Sequence, residues 1–463
     1  MPPSPTDNPP PLQIAGLGLI TPLGRSAWET LAALLDGRTL ADRIPQLPDH
    51  AADVDFARAL GCVATAQQDP VDPAIALAEA AAREAATMAG VSLDHLPTWI
   101  ASSKGCVAAA TPNALRPLLV RPTDPPTDPA TDQPVPPGDP RAWLHRPGLA
   151  EALALGPHAT LTHHLAQRTG IAPVAHHVAA CASSLVALHH AANHLRRLPE
   201  PAPGQSISAL VVTAEASLLP AFIASYQRLG VLAPLTRDGY RQTPLAQKRQ
   251  GFMLAETAAA LILTRRSTTP QRPQAEAERS AAPGTSPTPS QPSNPKPQTS
   301  SPQLTLLDTA ITTEAHDLIR PAPDMPALRR LAANLFAGRP IDCLHPHAPG
   351  TPDHDPAELQ ALADVLNAER EMTQAHDPVH VYACKGALGH ALGASGLAAL
   401  VLAALCLTAG KRPPMPWLAN TPRMTPCPVP IPADTQPIPR TGTHAIFASG
   451  FAGHTAGALI QRT

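Results

Sequence analysis

The segment around Cys181 places a nucleophilic side chain where a strand gives way to a helix. The run Val174–Ala180 is strand-like, and the apolar spacing after the cysteine predicts a helix whose first turn Ser183 or Ser184 helps to cap. The positive end of such a helix favours a thiolate, so a lowered thiol pKa is expected at this corner. The alternative is a small cysteine buried in a packed corner.

A histidine-bearing loop could supply hydrogen-bond donors or a base to such a nucleophile. The predicted strand Asp342–Leu344 ends in His345, and a turn-rich loop with His347 follows. Loops at strand ends commonly hold functional groups. His345 and His347, with His354 nearby, are also candidate metal ligands, although they lack the carboxylate or cysteine spacing of a typical zinc site.

Two further segments combine glycines with reactive or donor groups. Lys385 and His390 flank glycines just before an apolar helix predicted from Ser395. Their alternative interpretations are a solvated surface charge for the lysine and a hydrogen-bonded core residue for the histidine. The loop Gly450–Gly453 follows the predicted strand Ala445–Ala448, and its glycines let backbone N–H groups approach a developing oxyanion.

Alternating strands and helices must position these residues. Their order predicts an α/β fold with mostly parallel sheets. The chain has 463 residues, which exceeds what one hydrophobic core usually supports, so two core-forming halves are expected. We predict an N-terminal half at 12–265, a disordered Pro/Ser-rich linker at 267–302 and a C-terminal half at 303–463. A Pro-rich surface insertion interrupts the first half at about 120–140.

Charge and composition exclude several classes of protein. The formal net charge is −2 without a basic run, which argues against nucleic-acid binding. Seven scattered cysteines without a CxxC pair fit neither a disulfide framework nor a zinc ribbon, and they suit a reducing cytosol. The N-terminus lacks a signal-peptide pattern. The apolar stretch at roughly 393–410 is long enough for a membrane span, but its alanine content favours a buried helix. The sequence therefore predicts a cytoplasmic protein.

Taken together, the candidate segments resemble the β-ketoacyl synthases. The family's Ala-Cys-Ala-Ser-Ser motif is reproduced at Ala180–Ser184, and its His-Gly-Thr-Gly-Thr-Pro motif is recognisable at His347–Pro352. Its Lys…Gly-His…Gly-Ala-x-Gly motif is matched at Lys385–Gly396, and its Gly-Phe-Gly-Gly loop corresponds to Gly450–Gly453. Four motifs in the family's order make the resemblance specific. Apart from the two low-complexity insertions, it runs from about residue 12 to residue 461.

The resemblance implies a thiolase-like five-layer αβαβα fold with two pseudo-symmetric halves. It also implies a decarboxylative Claisen condensation in fatty-acid or polyketide-like biosynthesis. Cys181 would carry the acyl group, His347 and His390 would donate hydrogen bonds to the malonyl-derived enolate, and Lys385 would order the site. No metal and no bound cofactor are implied, because the substrates are carried on the phosphopantetheine of an acyl carrier protein.

Further roles follow from the same resemblance. The backbone N–H groups of Cys181 and Phe451 would hold the acyl oxyanion, and Phe451, between Gly450 and Gly453, would act as a gate for the second substrate. Thr351 would bind substrate, and Glu256 would give structural support near the lysine. The family normally forms dimers, so a homodimer or a heterodimer with a related ketosynthase-like subunit is expected.

Seven residues depart from the family's pattern, among them Ala255 and Thr257, which flank Glu256 where the family prefers glycines. Ala348 and Pro349 replace a glycine and a threonine, which removes a backbone donor and a hydroxyl where the family binds the phosphopantetheine arm. Ala452 replaces a loop glycine and should stiffen the gate. Ser449 and His454 replace an aromatic residue and a threonine, which predicts an altered acyl pocket. These differences concern the substrate rather than the reaction class.

Two other functions fit the same resemblance. One is a non-catalytic partner subunit that sets chain length within a heterodimer, but such relatives typically lose the cysteine, which this chain retains as Cys181. The other is a Cys/His thioesterase on the same fold, which would need a water path and no decarboxylation. Product analysis separates a thioesterase from a synthase.

Overall fold

The computed structural model describes residues 10–42, 69, 71–110, 127–128, 133–134, 155–234, 242–269, 303–374, 378–424 and 429–463. Most of the predicted insertion at about 120–140 lies outside these residues. The predicted linker 267–302 also lies outside them, apart from its first three positions.

The described residues form strands and helices that alternate in both halves of the chain. The strands are β1 (Leu12–Ile20), β2 (Pro97–Ala101), β3 (Thr127–Asp128), β4 (Gln133–Pro134), β5 (Ala172–His177), β6 (Ser206–Glu215), β7 (Thr257–Arg266), β8 (Leu304–Thr313), β9 (Cys343–His345), β10 (His380–Val381), β11 (Lys411–Arg412), β12 (Gln436–Pro437), β13 (Gly442–Ser449) and β14 (His454–Arg462). The α-helices are α1 (Ala27–Leu35), α2 (Pro73–Ala89), α3 (Val107–Ala110), α4 (Pro157–Thr169), α5 (Ser183–Arg197), α6 (Pro220–Arg228), α7 (Pro326–Phe336), α8 (His354–Thr373), α9 (Lys385–Leu388) and α10 (Ser395–Ala409).

Two five-stranded units of identical topology meet edge to edge in one sheet. The strand order is β10-β9-β13-β14-β8-β1-β7-β6-β2-β5. In each unit, the first strand in the chain lies at the junction, followed outwards by the fifth, fourth, second and third. The two first strands pair antiparallel, with Leu12 opposite Leu306 and Gln13 opposite Thr305. This repeat gives the fold its two pseudo-symmetric halves.

The prediction of mostly parallel sheets is wrong, because the sheet is mixed. The outer pairs β2–β5, β2–β6, β9–β10 and β9–β13 are parallel. The pairs nearer the junction are antiparallel, including β6–β7 and β13–β14. In each half the last strand therefore pairs with its predecessor in the opposite direction, β7 with β6 and β14 with β13.

Two helices form the interior layer between the halves. Helix α10 is buried along almost its whole length, because alanine and leucine occupy every side of it. Its first turn meets helix α5 closely: the Leu397 N–H donates to the Ser184 hydroxyl at 3.0 Å. A Cβ at Gly396 would lie 2.7 Å from Leu185, so only glycine permits this approach. The contact joins the helix that follows Cys181 to the helix that follows His390.

The apolar segment at roughly 393–410 forms a buried helix, as predicted. Leu392–Ala409 is long and apolar enough to cross a membrane, but 89% of it is buried inside the protein. Its apolar side chains contact other parts of the chain, as expected for a core helix, so length and composition here are weak evidence for a membrane segment.

Candidate active site

Cys181 lies in a strained elbow between β5 and α5. The strand ends at His177, earlier than predicted, and Ala180 then adopts a left-handed backbone with φ of +48°. The predicted helix cap is also wrong, because the Ser183 hydroxyl turns back into the elbow. It accepts from the Ala179 N–H at 2.9 Å and donates to the Ala180 carbonyl at 2.6 Å. The elbow is therefore held in a conformation that fixes the direction of the thiol.

The structure brings Cys181 together with both predicted histidines. One ring nitrogen of His347, one of His390 and the Cys181 sulfur all lie within 4.8 Å of one another. The two imidazole rings meet edge to face with their centroids 5.2 Å apart. Cys181 is 7% exposed, His347 is 4% exposed and His390 is 1% exposed. Residues from three separate segments thus form one compact, largely dry cluster.

Two carboxylates of helix α8 hold the His347 loop in place. The Glu358 carboxylate accepts from the N–H groups of His347 and Ala348 at 2.6 and 2.7 Å, and Asp355 accepts from the Gly350 N–H at 2.9 Å. This support lets Ala348, which stands where the family has glycine, keep a positive φ of +34°. Sequence reasoning missed both acids, although acidic residues in the first turns after a functional loop are a usable signal.

His390 is positioned from both its ring and its backbone. Its Nδ1 lies 2.9 Å from the Ser395 hydroxyl, and its backbone N–H donates to the Met253 carbonyl at 2.7 Å. The ring of Phe252 packs edge-on against the imidazole at 4.7 Å. Ser395, which the sequence indicated only as the start of a helix, can either donate to Nδ1 or accept from it. His390 can therefore use either neutral tautomer.

Lys385 is buried beside His347 rather than solvated. It is 3% exposed, its Nζ donates to the His347 carbonyl, and the same Nζ lies 3.4 Å from His347 Nδ1. Burial lowers the pKa of Lys385, and the nearby acidic groups of Cys384, Glu358, Cys181 and Asp355 oppose that shift. With Nζ as the donor, His347 Nδ1 is the acceptor, which places the His347 proton on Nε2.

The expected lowering of the Cys181 pKa does not occur, because burial of the thiol outweighs the nearby positive charges. Burial raises the pKa of the thiol to about 12, and the neighbouring Lys385 charge only partly offsets it. Burial, followed by repulsion from Lys385, moves the pKa of both His347 and His390 well below the usual range. The resting cluster therefore holds a neutral thiol between two neutral imidazoles.

This protonation state predicts how Cys181 reacts with an alkylating agent. Because the thiol pKa is raised, the thiolate fraction is small at neutral pH and grows about tenfold per pH unit. We expect the rate of iodoacetamide modification at Cys181, followed by peptide mass spectrometry, to rise continuously between pH 7 and pH 10. A rate that levels off below about pH 8 would show a low-pKa thiolate instead.

The loop Gly450–Gly453 lies directly against the cysteine elbow. A Cβ at Gly450 would lie 2.7 Å from the Ala179 carbonyl and 3.1 Å from the Cys181 nitrogen, so a side chain there would push the loop away. Gly453 has a φ of +77° and no room for a Cβ beside the Glu314 carbonyl. Ala452 keeps a left-handed φ of +62° without being glycine. Phe451 is half-buried between them, and its roles in the oxyanion site and as a gate stay predictions.

A cavity of about 310 Å³ connects the cluster to the surface. Cys181, His347 and His390 line its buried end, and Thr351 with the exposed Asp353 lines its outer part. Aromatic and aliphatic side chains also line the cavity: Tyr226, Leu229, Val231 and Phe252. The cavity therefore offers both polar and apolar surface between the thiol and the solvent.

Glu256 is buried at 6% exposure just before β7. Its predicted support of Lys385 stays a prediction, since the carboxylates that raise the lysine pKa are those of Glu358 and Asp355. The alternative of a metal site formed by His345, His347 and His354 is not assembled among the described residues. The ring of His347 lies 5.1 Å from that of His354, centroid to centroid, whereas His345 lies beside His444.

Family models match both halves of the chain. The model described as "Beta-ketoacyl synthase, N-terminal domain" matches residues 154–269, which include Cys181. The model described as "Beta-ketoacyl synthase, C-terminal domain" matches residues 305–418, which include His347, Lys385 and His390.

Curated proteins with similar sequences are polyketide synthases. The reducing polyketide synthase BOA6 of Botryotinia fuckeliana is 24% identical over 303 residues, and the erythronolide synthase EryA3 of Saccharopolyspora erythraea is 29% identical over 240 residues. The alignments cover 61% and 50% of this chain but only 11% and 6% of those proteins. The chain thus corresponds to a small part of each relative.

Solved structures with the same fold are ketosynthases. The ketosynthase from module 6 of the bacillaene synthase of Bacillus subtilis superimposes with a TM-score of 0.65 at 17% identity, covering 98% of this chain and 72% of that one. The AntDE:AntF structure, a type II polyketide synthase acyl-carrier protein in complex with its ketosynthase, gives 0.68 at 18% identity, covering 98% and 99%. At these identities the likeness concerns the fold.

Proposed function

Because this chain belongs to the β-ketoacyl synthase family, we propose that it is a condensing enzyme that extends an acyl group on Cys181 with a malonyl-derived unit. The observation that carries this proposal is the meeting of one thiol and two neutral imidazoles at the buried end of a cavity that reaches the surface. A synthase needs this combination of a nucleophile with two uncharged donors.

The first step transfers the acyl group from a carrier thioester to Cys181. The sulfur attacks the thioester carbonyl carbon, the old C–S bond breaks, and the cysteine proton ends on the departing phosphopantetheine thiol. Because the thiol pKa is raised, a base must take this proton as the new bond forms. His390 suits this role, since the Ser395 hydroxyl accepts a hydrogen bond from Nδ1–H when Nε2 is the basic atom.

The second step removes the carboxylate of a malonyl thioester. Carbon dioxide leaves, the electron pair moves to the methylene carbon, and the thioester oxygen carries enolate charge. His347 donates from Nε2, because Lys385 Nζ occupies its Nδ1 side. His390 supplies the second donor through its other tautomer. Each such donor contributes about 10²- to 10³-fold in comparable sites.

The third step forms the carbon–carbon bond. The enolate carbon attacks the acyl carbon on Cys181, and the tetrahedral oxygen takes the negative charge. The C–S bond then breaks, and the released cysteine sulfur regains a proton from solvent. The backbone N–H groups of Cys181 and Phe451 would hold the oxyanion, and the close contact of Gly450 with the elbow supports that arrangement.

The substrates would arrive on the phosphopantetheine of an acyl carrier protein, with no bound cofactor. The outer part of the cavity, along Thr351, gives such an arm a path to the thiol. The carrier-bound ketosynthase among the similar structures supports this kind of partner. The polyketide synthases among the relatives favour a polyketide context over fatty-acid synthesis. We further propose a cytoplasmic enzyme that acts as a dimer, with itself or with a related ketosynthase-like subunit.

Product analysis tests this function. The protein is incubated with an acyl-carrier thioester and malonyl-carrier protein, and intact mass follows the carriers. The proposal predicts a β-ketoacyl carrier and release of carbon dioxide, with the β-ketoacyl product lost in Cys181→Ala and retained in Cys384→Ala. Free fatty acid without a β-ketoacyl product would identify a thioesterase. No product with any chain length, even with wild-type protein, would favour the non-catalytic partner subunit.

A further inference from the structure

A second cluster of one cysteine and two histidines lies in the C-terminal half of the sheet. Cys343 and His345 occupy alternate positions on β9, so both side chains leave the same face of the strand. The neighbouring parallel strand β13 pairs His444 with Cys343, which brings a third donor to that face. This cluster is separate from the Cys181 cluster and has no part in the proposed reaction.

The three side chains are close enough to bind one ion. The Cys343 sulfur and one ring nitrogen of each histidine all lie within 4.8 Å of one another. His345 Nε2 is 3.1 Å from His444 Nδ1, close to the separation of about 3.3 Å expected for two nitrogens on one tetrahedral zinc ion. The exposed fractions of Cys343, His345 and His444 are 0%, 1% and 0%.

The surroundings leave polar atoms unpaired in the core. Among the residues that the structure describes, no hydrogen-bond partner is found for His345 Nδ1, His444 Nε2 or the Tyr382 hydroxyl. The Tyr382 ring contacts that of His345 edge to face, with centroids 6.1 Å apart. The unpaired His345 Nδ1 and His444 Nε2 are the ring nitrogens opposite to the two that lie 3.1 Å apart. They can carry the ring protons, which leaves the two facing nitrogens free to bind an ion.

We propose that Cys343, His345 and His444 bind a zinc ion. One sulfur and two imidazole nitrogens are typical zinc ligands, and three protein ligands leave one tetrahedral position. Borderline-soft donors of this kind favour zinc over magnesium or calcium, which prefer oxygen.

The Arg412 side chain is buried near the cluster. Its guanidinium donates to the carbonyl oxygens of Pro413, Pro432 and Asp434. The thiolate is the form that binds a metal. Thiolate formation also offsets part of the positive charge that zinc and the guanidinium would otherwise bring into the core.

The ion would join two strands that lead into the active site. His345 precedes His347 by two residues, and β13 continues from His444 to the loop that contains Phe451. A zinc ion held between β9 and β13 would therefore support the base of both loops. Its role would be structural, since all of its protein ligands are buried away from the Cys181 cavity.

Metal analysis of the purified full chain tests the proposal. We expect about one zinc per chain by mass spectrometry after dialysis against metal-free buffer. Cys343→Ser and His444→Gln should lose most of it. Cys181→Ala should keep it, which separates this site from the active-site cluster with the same donor types. Cys406→Ser is the control for a buried cysteine outside the cluster. Cobalt should give a thiolate charge-transfer band that requires Cys343.

A second measurement avoids variants that fail to fold. Wild-type protein is unfolded in denaturant that contains a chelator and is then refolded with or without zinc. The midpoints of thermal unfolding of the two samples are compared. Zinc should raise the midpoint by several degrees, because an ion that binds only the folded state stabilises it. Equal midpoints together with zinc-free purified protein would overturn the proposal. Zinc that disappears in Cys181→Ala instead of Cys343→Ser would overturn it as well, whether or not the chain condenses acyl groups.

Discussion

Replacing His347 with alanine will lower malonyl decarboxylation by about 10²- to 10³-fold while leaving acylation of Cys181 within about tenfold of wild type. The two half-reactions are affected differently because of the tautomer of His347. Lys385 lies 3.4 Å from His347 Nδ1, so this ring offers a proton from Nε2 and no basic nitrogen to the thiol. Its loss therefore removes an enolate donor but not the base. Release of carbon dioxide and adduct formation, measured separately, check the prediction.

Two variants make this prediction specific. His347→Asn retains an N–H donor and should recover part of the decarboxylation rate. His354→Ala removes a neighbouring ring, centred 5.1 Å from that of His347, and should have a much smaller effect. His390→Ala should slow both half-reactions, because this ring serves as base and donor. Equal losses of acylation and decarboxylation in His347→Ala would contradict the assigned tautomer.

Replacing Glu358 with alanine will destabilise the protein by about 3 kcal/mol or more, the cost of leaving two buried backbone N–H groups without an acceptor. Its carboxylate accepts from His347 and Ala348, and it is fully buried. The loop that carries His347 should also shift, so condensation should fall in the protein that remains folded. Urea unfolding gives the free energy, and the condensation assay gives the second effect.

Asp364→Ala is the matched control for Glu358→Ala. It lies on the same helix, but its 2.7 Å ion pair with Arg329 is on the surface. We expect its removal to cost less than about 1 kcal/mol. If the two variants lose similar stability, the carboxylate of Glu358 does not hold the loop.

The sequence predicted those elements whose pattern is local. The apolar helix predicted from Ser395 begins there as α10, and the predicted strand Ala445–Ala448 lies within β13, because continuous apolar runs define both. The helix α6 at Pro220–Arg228 and the final strand β14 at His454–Arg462 were missed. The mixed direction of the sheet was also missed, since strand direction depends on crossover connections that short-range patterns do not reveal.

The supporting residues of the candidate site depend on tertiary structure. Ser395, Asp355 and Glu358 look like ordinary residues of helices, and their partners are backbone or ring atoms that folding brings to them. The predicted direction of the Cys181 pKa shift was wrong for a related reason. A helix end can be inferred from sequence, but the depth of burial that outweighs it cannot.

The two histidines His345 and His347 illustrate the same limit. They are two positions apart and were considered together as metal ligands. In the fold, His345 is the last residue of β9 and contacts His444 on the next strand. His347 lies in the loop beyond it, where it meets His390 and Cys181. Which neighbours each ring finds is decided by the pairing of β9 with β13.

The central claim is that Cys181 carries the acyl group, and the mass of the protein after reaction with an acyl-carrier thioester alone tests it most directly. The account predicts one acyl adduct, located on the peptide that contains Cys181, absent in Cys181→Ala and present in Cys384→Ala. An adduct on another cysteine, or none while the fold is intact, would contradict it.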